Sequence, residues 1–201
     1  MSYTYADAER LLFEWVQSES LRKHCLAVAT SMRHMARRAG ADEDAWAAVG
    51  ILHDLDYERF PNPEQSPIDQ HPSTGVAFLR EHGWPEEFCR AILSHADYCN
   101  VPRQTAMEKT LYAVDELSGF VTAVALVRPD KDVASVEVAS VKKKMKDKAF
   151  ARAVNREDIV RGAAELDMPL DDLIAEVIAA LRGNAAALGL SGDRWPVAGG
   201  R

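Results

Sequence analysis

The chain, 201 residues long, is expected to fold as an all-α domain. Three observations carry this expectation. Apolar residues recur at three- and four-residue intervals along most of the sequence. Capping residues and prolines punctuate that pattern at helix-length intervals. Segments with the two-residue alternation of a half-buried strand are hard to find. A hydrophobic fraction of 47% beside a charged fraction of 27% is that of a globular chain able to bury a core.

A first helix is expected over residues 6–18, with Leu12, Trp15 and Val16 on one side. A second, over 19–39, sets Leu21, Val28, Met32 and Met35 in a stripe and ends at Gly40, a residue suited to a C-terminal cap. A third, over 42–52, starts with Asp42 as its cap and packs Trp46, Val49 and Leu52. The stretch from Phe60 to Pro67 holds Pro61, Pro63 and Pro67 and predicts an ordered loop or lid. Pro72 suits the first position of a helix ending near Gly83, and Pro85 opens another over 86–94. A long helix follows over about 105–127, stopped by Arg128-Pro129.

Residues 130–151 are ambiguous, since Val133, Val136, Val138 and Val141 fit a short strand or a short helix. Asn155 caps a helix to about Leu166. A closing helix from Leu170 to Arg182 carries Leu173, Ile174, Val177, Ile178 and Leu181 at helical spacing, with Gly183 after it. From Gly189 onward the Gly-rich chain is expected to fray. No repeat or interdomain linker is evident, so one domain is expected.

Charge and cysteine usage narrow the function. With 24 basic against 31 acidic residues the formal charge is −7, which argues against stable, non-specific nucleic-acid binding. An anionic substrate would need a local positive site or a metal. No basic segment followed by an apolar stretch opens the sequence, and no run reaches the length of a membrane span, so no membrane partner is expected. Cys25, Cys89 and Cys99 form an odd set without a CxxC pair, which disfavours zinc ribbons and disulfide scaffolds and makes a reducing cytoplasm the expected location.

The informative residues are polar groups set among apolar ones. Asp115 lies within Leu111-Tyr112-Ala113-Val114-Asp115-Glu116-Leu117 and shares a helix face with Leu111 and Ser118, so its carboxylate should point inward, where it needs a partner. Glu116, turned about 100° around the helix, faces solvent or a cleft. His24 sits three residues after Leu21 and four before Val28. His53-Asp54 closes the third helix. Singly, each has an ordinary reading: a core histidine, a buried ion pair with an arginine, a helix end. Together they supply two imidazoles and two carboxylates from separate helices. That nitrogen and oxygen set suits Mn, Fe, Zn or Mg rather than a thiolate-selected metal, and facing helices are where bundles build metal centres.

In order and local context, His24 … His53-Asp54 … Asp115 resembles the H…HD…D pattern of the HD superfamily of metal-dependent phosphohydrolases. The contexts are Leu21-Arg22-Lys23-His24, Gly50-Ile51-Leu52-His53-Asp54 and Tyr112-Ala113-Val114-Asp115-Glu116-Leu117. The runs 118–129 and Val154-Asn155-Arg156-Glu157-Asp158 are similar to a little-characterised bacterial subgroup of predicted HD hydrolases. The resemblance covers roughly residues 20–125. It implies a single HD-like helical bundle over 1–188, with its core at about 20–125, a helical extension at about 130–188 and a flexible tail over 189–201.

The resemblance also implies a site. His24, His53, Asp54 and Asp115 would hold a divalent ion. His71 and His95 resemble the ligands of a second ion bridged by Asp54, with the alternatives that His71 caps a helix and His95 merely ends one. Asp54, His71 and His95 are then the candidate catalytic residues. Tyr57, Arg128, Lys131, Lys142 and Arg156 are candidates for substrate contact. Arg128, Lys131 and Arg156 are marked by the resemblance, while Lys142 belongs to the basic run 142–146, which also reads as a solvated face. His34 and His82 match nothing and are expected at the surface. Asp56 either reaches the site or caps the following turn, the second being the expectation.

The implied reaction is hydrolysis of a small phosphorylated, nucleotide-like molecule by a metal-bound hydroxide, with one or two ions of Mn, Fe, Mg or Zn. The same six ligands also serve di-iron members with oxygen-dependent chemistry, and degenerate members act as non-catalytic regulatory modules. Two departures are visible. Leu55-Asp56-Tyr57 stands where many relatives continue with Ile-Gly, and the Gly-Tyr-Pro extension of cyclic-dinucleotide phosphodiesterases is absent. An oligomer is compatible with all of these readings.

Overall fold

In the computed structural model, residues 3–192 are described. Among them the chain forms ten α-helices and two 3-10 turns and no strand, which agrees with the all-α expectation. Helix α1 (Tyr5–Trp15) has Thr4 as its cap in a reciprocal capping box with Asp7. It stops short of the expected residue 18 because Ser18 accepts a hydrogen bond from the Leu21 amide and caps the next helix. The intervening chain is held by Glu58, whose carboxylate accepts from the amides of Gln17 and Ser18 at 2.9 Å each.

Helix α2 (Glu19–Ala39) is the central element and packs against α3 (Glu43–Leu52), α6 (Ala106–Leu126) and α9 (Leu170–Gly183). Its end at Gly40, in the left-handed region at φ 66°, matches expectation. The approach of α3 to α2 depends on Gly50: a Cβ there would lie 2.8 Å from the Ala29 Cα, so any side chain would force the helices apart. This contact brings the end of α3, where His53 lies, beside His24 on α2.

Helices α4 (Ser73–Glu81) and α5 (Glu86–Ser94) follow Pro72 and Pro85 as expected. Helix α6 opens with a capping box between Thr105 and Glu108, whose buried carboxylate also pairs with Arg90 at 2.7 Å. The ambiguous stretch resolves as a 3-10 turn at Val133–Ser135 and a short helix, α7 (Val138–Met145). Val133, Val136 and Val141 are fully buried, packed between α6 and α9, so apolar burial rather than ladder pairing organises this stretch. Helix α8 (Arg156–Glu165), capped by Asn155, packs along α6.

Helix α9 runs through Gly183 instead of ending before it, and a four-residue α10 (Ala185–Leu188) follows. Of the tail expected to fray, residues 189–192 are packed. Leu190 is buried, its carbonyl accepts from the Val133 amide at 2.9 Å, and Ser191 bridges Asp132. Leu190 thus joins the same apolar core as Val133. The rest of the expected tail, 193–201, lies outside the described residues.

Candidate metal centre

Helix geometry delivers the six expected side chains to one place. His24 projects from the second turn of α2, His53 and Asp54 follow the last turn of α3, His95 follows α5, and Asp115 sits midway along α6. His71 precedes α4 in the loop after Asp54. That loop is built around it: the His71 amide donates to the Phe60 carbonyl at 2.9 Å, and its own carbonyl accepts from Asn62 and from the Tyr98 hydroxyl.

His24 Nε2, His53 Nε2 and Asp115 Oδ1 lie 3.0 to 3.3 Å from one another. Asp54 Oδ2 stands 3.6 Å from His24 Nε2 and 3.5 Å from His53 Nε2. Its other oxygen, Oδ1, turns toward His71 Nε2 at 3.4 Å and His95 Nε2 at 3.9 Å. A cation with bonds of about 2.1 Å sets adjacent ligand atoms about 3.0–3.4 Å apart, so the first cluster already has ligand spacing. Two groups thus emerge that could hold metal ions, His24-His53-Asp115 and Asp54-His71-His95, with Asp54 reaching both.

The histidines are also oriented for ligation. His53 Nδ1 lies 2.8 Å from the Gly50 carbonyl, and His95 Nδ1 faces the Ile92 carbonyl. Carbonyls only accept, so each Nδ1 carries the proton and each Nε2 presents a lone pair toward the cluster. His71 Nδ1 is held at 2.8 Å by Asp56, whose other oxygen accepts from the Gly75 amide at 2.6 Å. Asp56 is fully buried and so does more than cap the following turn: it caps α4, nearly twenty residues on, and fixes the imidazole of His71.

Electrostatics favour positive charge here. Burial works against the His53 cation, yet Asp54 and Asp115 outweigh it and push its pKa up to about 10. Burial likewise opposes ionisation of Asp115, but the imidazoles of His53 and His24 hold it well below the carboxylate range. His95, farther from the carboxylates, is pushed down to about 4 by burial and by His71 and His53. The carboxylate pair therefore stabilises a cation at the cluster, and a divalent ion competes with protons for that position. Glu116 is raised to about 7, by burial first and then by Asp115.

The cluster forms the floor of a cavity of about 580 Å³, with Tyr57, Tyr98, Tyr112 and Glu116 on its walls. Tyr57 is half-exposed and meets the His71 ring edge-on at 5.1 Å. The loop after the doublet contributes Gln65 to the wall. None of the four basic candidates for substrate contact lines this cavity. Arg128 lies past the far end of α6, which runs about 16 Å beyond Asp115, and bonds Ser135. Lys131 sits in the exposed turn after it. Lys142 pairs with Asp171 at 2.7 Å on an exposed face. Arg156 turns back to donate to the carbonyls of Phe150, Ala151 and Val154, closing the loop before α8.

The cavity's guanidinium is instead Arg161, one turn after Asp158 on the same helix and unflagged by sequence reasoning. The 154–158 run lies at the start of the same helix, and the i, i+3 spacing from Asp158 was the signal available for a guanidinium on this face. His82 is exposed as expected, whereas His34 is half-buried and bonds Glu176 on α9 at 2.7 Å.

Comparison with known proteins agrees with this geometry. Residues 21–119 match the HD domain family, a segment containing all six clustered side chains. The chain is also similar to Ribonuclease Y of Thermus thermophilus, 31% identical over 128 residues, which is 64% of this chain and 20% of that protein. The chain thus spans about a fifth of that relative. No solved structure matches. With its H…HD…D pattern assembled on an all-helical frame and its residues 21–119 matched to the HD domain, the chain belongs to the HD superfamily.

Proposed function

We propose that the protein is a metal-dependent phosphohydrolase acting on a small, nucleotide-like phosphate ester. The observation that carries this reading is the division of Asp54 between two histidine pairs, Oδ2 toward His24 and His53 and Oδ1 toward His71 and His95. On this reading His24, His53, Asp115 and Asp54 hold one ion, and His71, His95 and Asp54 a second. Ions so placed lower the pKa of bound water to about 7 and offset charge on phosphoryl oxygens.

The chain's own residues do the rest. Gly50, Ile92 and Asp56 lock the imidazoles so that no ligand must reorganise during reaction. Tyr57 flanks the substrate at the mouth. The relative is named a ribonuclease. For this chain, the charge of −7 and the carboxylates around the cavity favour a small molecule over an RNA backbone.

The test is elemental analysis of protein purified without added metal, then a phosphatase screen over small esters and nucleotides. Bound divalent metal and phosphate release are expected, both lost in His53→Ala and Asp54→Ala. Full activity in either variant overturns the reading. So does a protein carrying two irons that consumes oxygen and releases no phosphate.

A further inference from the structure

Helix α8 lies outside the segment matched to the HD family, yet it supplies one wall of the cavity through Asn155, Glu157, Asp158 and Arg161. The wall is rigidly mounted. A Cβ on Gly162 would lie 2.5 Å from the Ala113 Cα, so α8 rests directly on the α6 backbone. Arg103, stacked on the Tyr112 ring with its guanidinium 3.6 Å from the centroid, ties α8 to the end of α5 through Glu165.

Arg161 is held at the cavity edge by one nitrogen. Its Nη2 meets Asp97, Asp158 at 2.7 Å and the Tyr112 hydroxyl. Its Nε and Nη1 hydrogens have no acceptor among the described residues, so a pre-positioned guanidinium offers free donors to whatever enters. Around it, Asp97, Glu157, Asp158 and Glu165 still outnumber the two positive charges of Arg161 and Arg103, the latter paired with Asp97 and Glu165. A second anionic group would therefore be repelled at this wall. A neutral group with both hydrogen-bond acceptors and donors would be matched, its acceptors by Arg161 and its donors by the carboxylates.

Resting on the phosphohydrolase reading, we propose that α8 holds the uncharged polar leaving group of a monophosphate ester, of the nucleoside kind, with Arg161 as the specificity-determining residue. Polyphosphates are excluded by the same wall.

The test compares Mn-loaded wild-type protein with Arg161→Met and Arg161→Lys, on nucleoside 5′-monophosphates, the matching triphosphates and methyl phosphate, which has no polar leaving group. Calorimetric Kd values accompany KM and kcat. In wild type the best nucleoside monophosphate should bind at least about tenfold tighter than its triphosphate, and a hydrogen bond from a charged donor sets the same scale for Arg161. Arg161→Met should therefore cut the preference for nucleoside monophosphate over methyl phosphate about tenfold, chiefly through KM and Kd. Arg161→Lys keeps a charge for Asp97 and Asp158 but lacks the planar donors. It should lose most of the preference while melting like wild type.

Triphosphates bound as well as monophosphates overturn the proposal, as does a preference surviving both substitutions. An equal loss on methyl phosphate also overturns it, because Arg161 would then act through the fold. Failure of the underlying reading looks different: methyl phosphate turnover in wild type would not depend on His53 and Asp54.

Discussion

Asp56 offers the sharpest test of how the site is held together, because it contacts a proposed ligand without being one. Its carboxylate is fully buried and accepts two hydrogen bonds, from His71 Nδ1 at 2.8 Å and from the Gly75 amide at 2.6 Å. Asp56→Asn keeps the shape but offers one acceptor oxygen where two are needed. Its amide NH2 must face one of the two donors, leaving that donor buried without an acceptor, at about 1–3 kcal/mol. The surviving bond also loses its charge assistance. A total near 3 kcal/mol follows, which for a domain of this size lowers Tm by about 6–12 °C. The functional consequence is separable. An unanchored His71 ring should weaken the ion shared by His71, His95 and Asp54 by about 10–100-fold, while the ion at His24, His53 and Asp115 keeps its affinity. Thermal melts together with calorimetric metal titration read both effects. If Asp56→Asn loses stability but titrates two ions with wild-type affinities, the orienting role of Asp56 is refuted.

Two further outcomes test the frame. Glu108 caps α6 and pairs with Arg90; burial opposes its ionisation, but the amides of Thr105 and Gln104 and then Arg90 hold its pKa below the usual value. A depressed carboxylate stabilises the fold above its unfolded pKa of about 4.3 and loses that contribution as pH falls through the folded value. Glu108→Gln should thus cost about 2–3 kcal/mol at pH 7, with the gap to wild type narrowing as pH falls below about 4.3 in urea melts; a pH-independent gap contradicts this. Gly162→Ala should push α8 off Ala113, costing about 1–3 kcal/mol and raising KM more than it lowers kcat, whereas wild-type stability and KM would show that the helices need no such contact.

The all-helical frame was legible because each element announces itself locally. Asp42 and Asn155 cap the helices that follow them and Gly40 closes α2, as their positions in the sequence suggested, whereas Ser18, expected to end the first helix, caps the second. The same local reasoning failed where tertiary contact decides. Val133 to Val141 carry no local preference between strand and helix, and only the space between α6 and α9 selects a turn and short helix. Gly189–Gly192 looked like a fraying tail because nothing in a Gly-rich stretch shows that Leu190 will be buried.

The ligand cluster was legible for a different reason: a buried histidine or carboxylate is costly, so His24, His53, Asp54 and Asp115 stood out against apolar neighbours. The surrounding contacts did not stand out. Arginines are ordinary on helix surfaces, and whether Arg156 or Arg161 reaches the cavity depends on how α8 docks on α6. Sequence by itself determined most of the helices and the kind of chemistry the inward polar groups can support, while the ends of α1 and α9 and the form of residues 130–151 were left to packing. Only the tertiary structure decided that Asp54 faces two histidine pairs, that Asp56 serves His71, and that Arg161 is the guanidinium at the cavity. Those are distances between segments far apart in the chain, set by helix packing, and no local pattern encodes them.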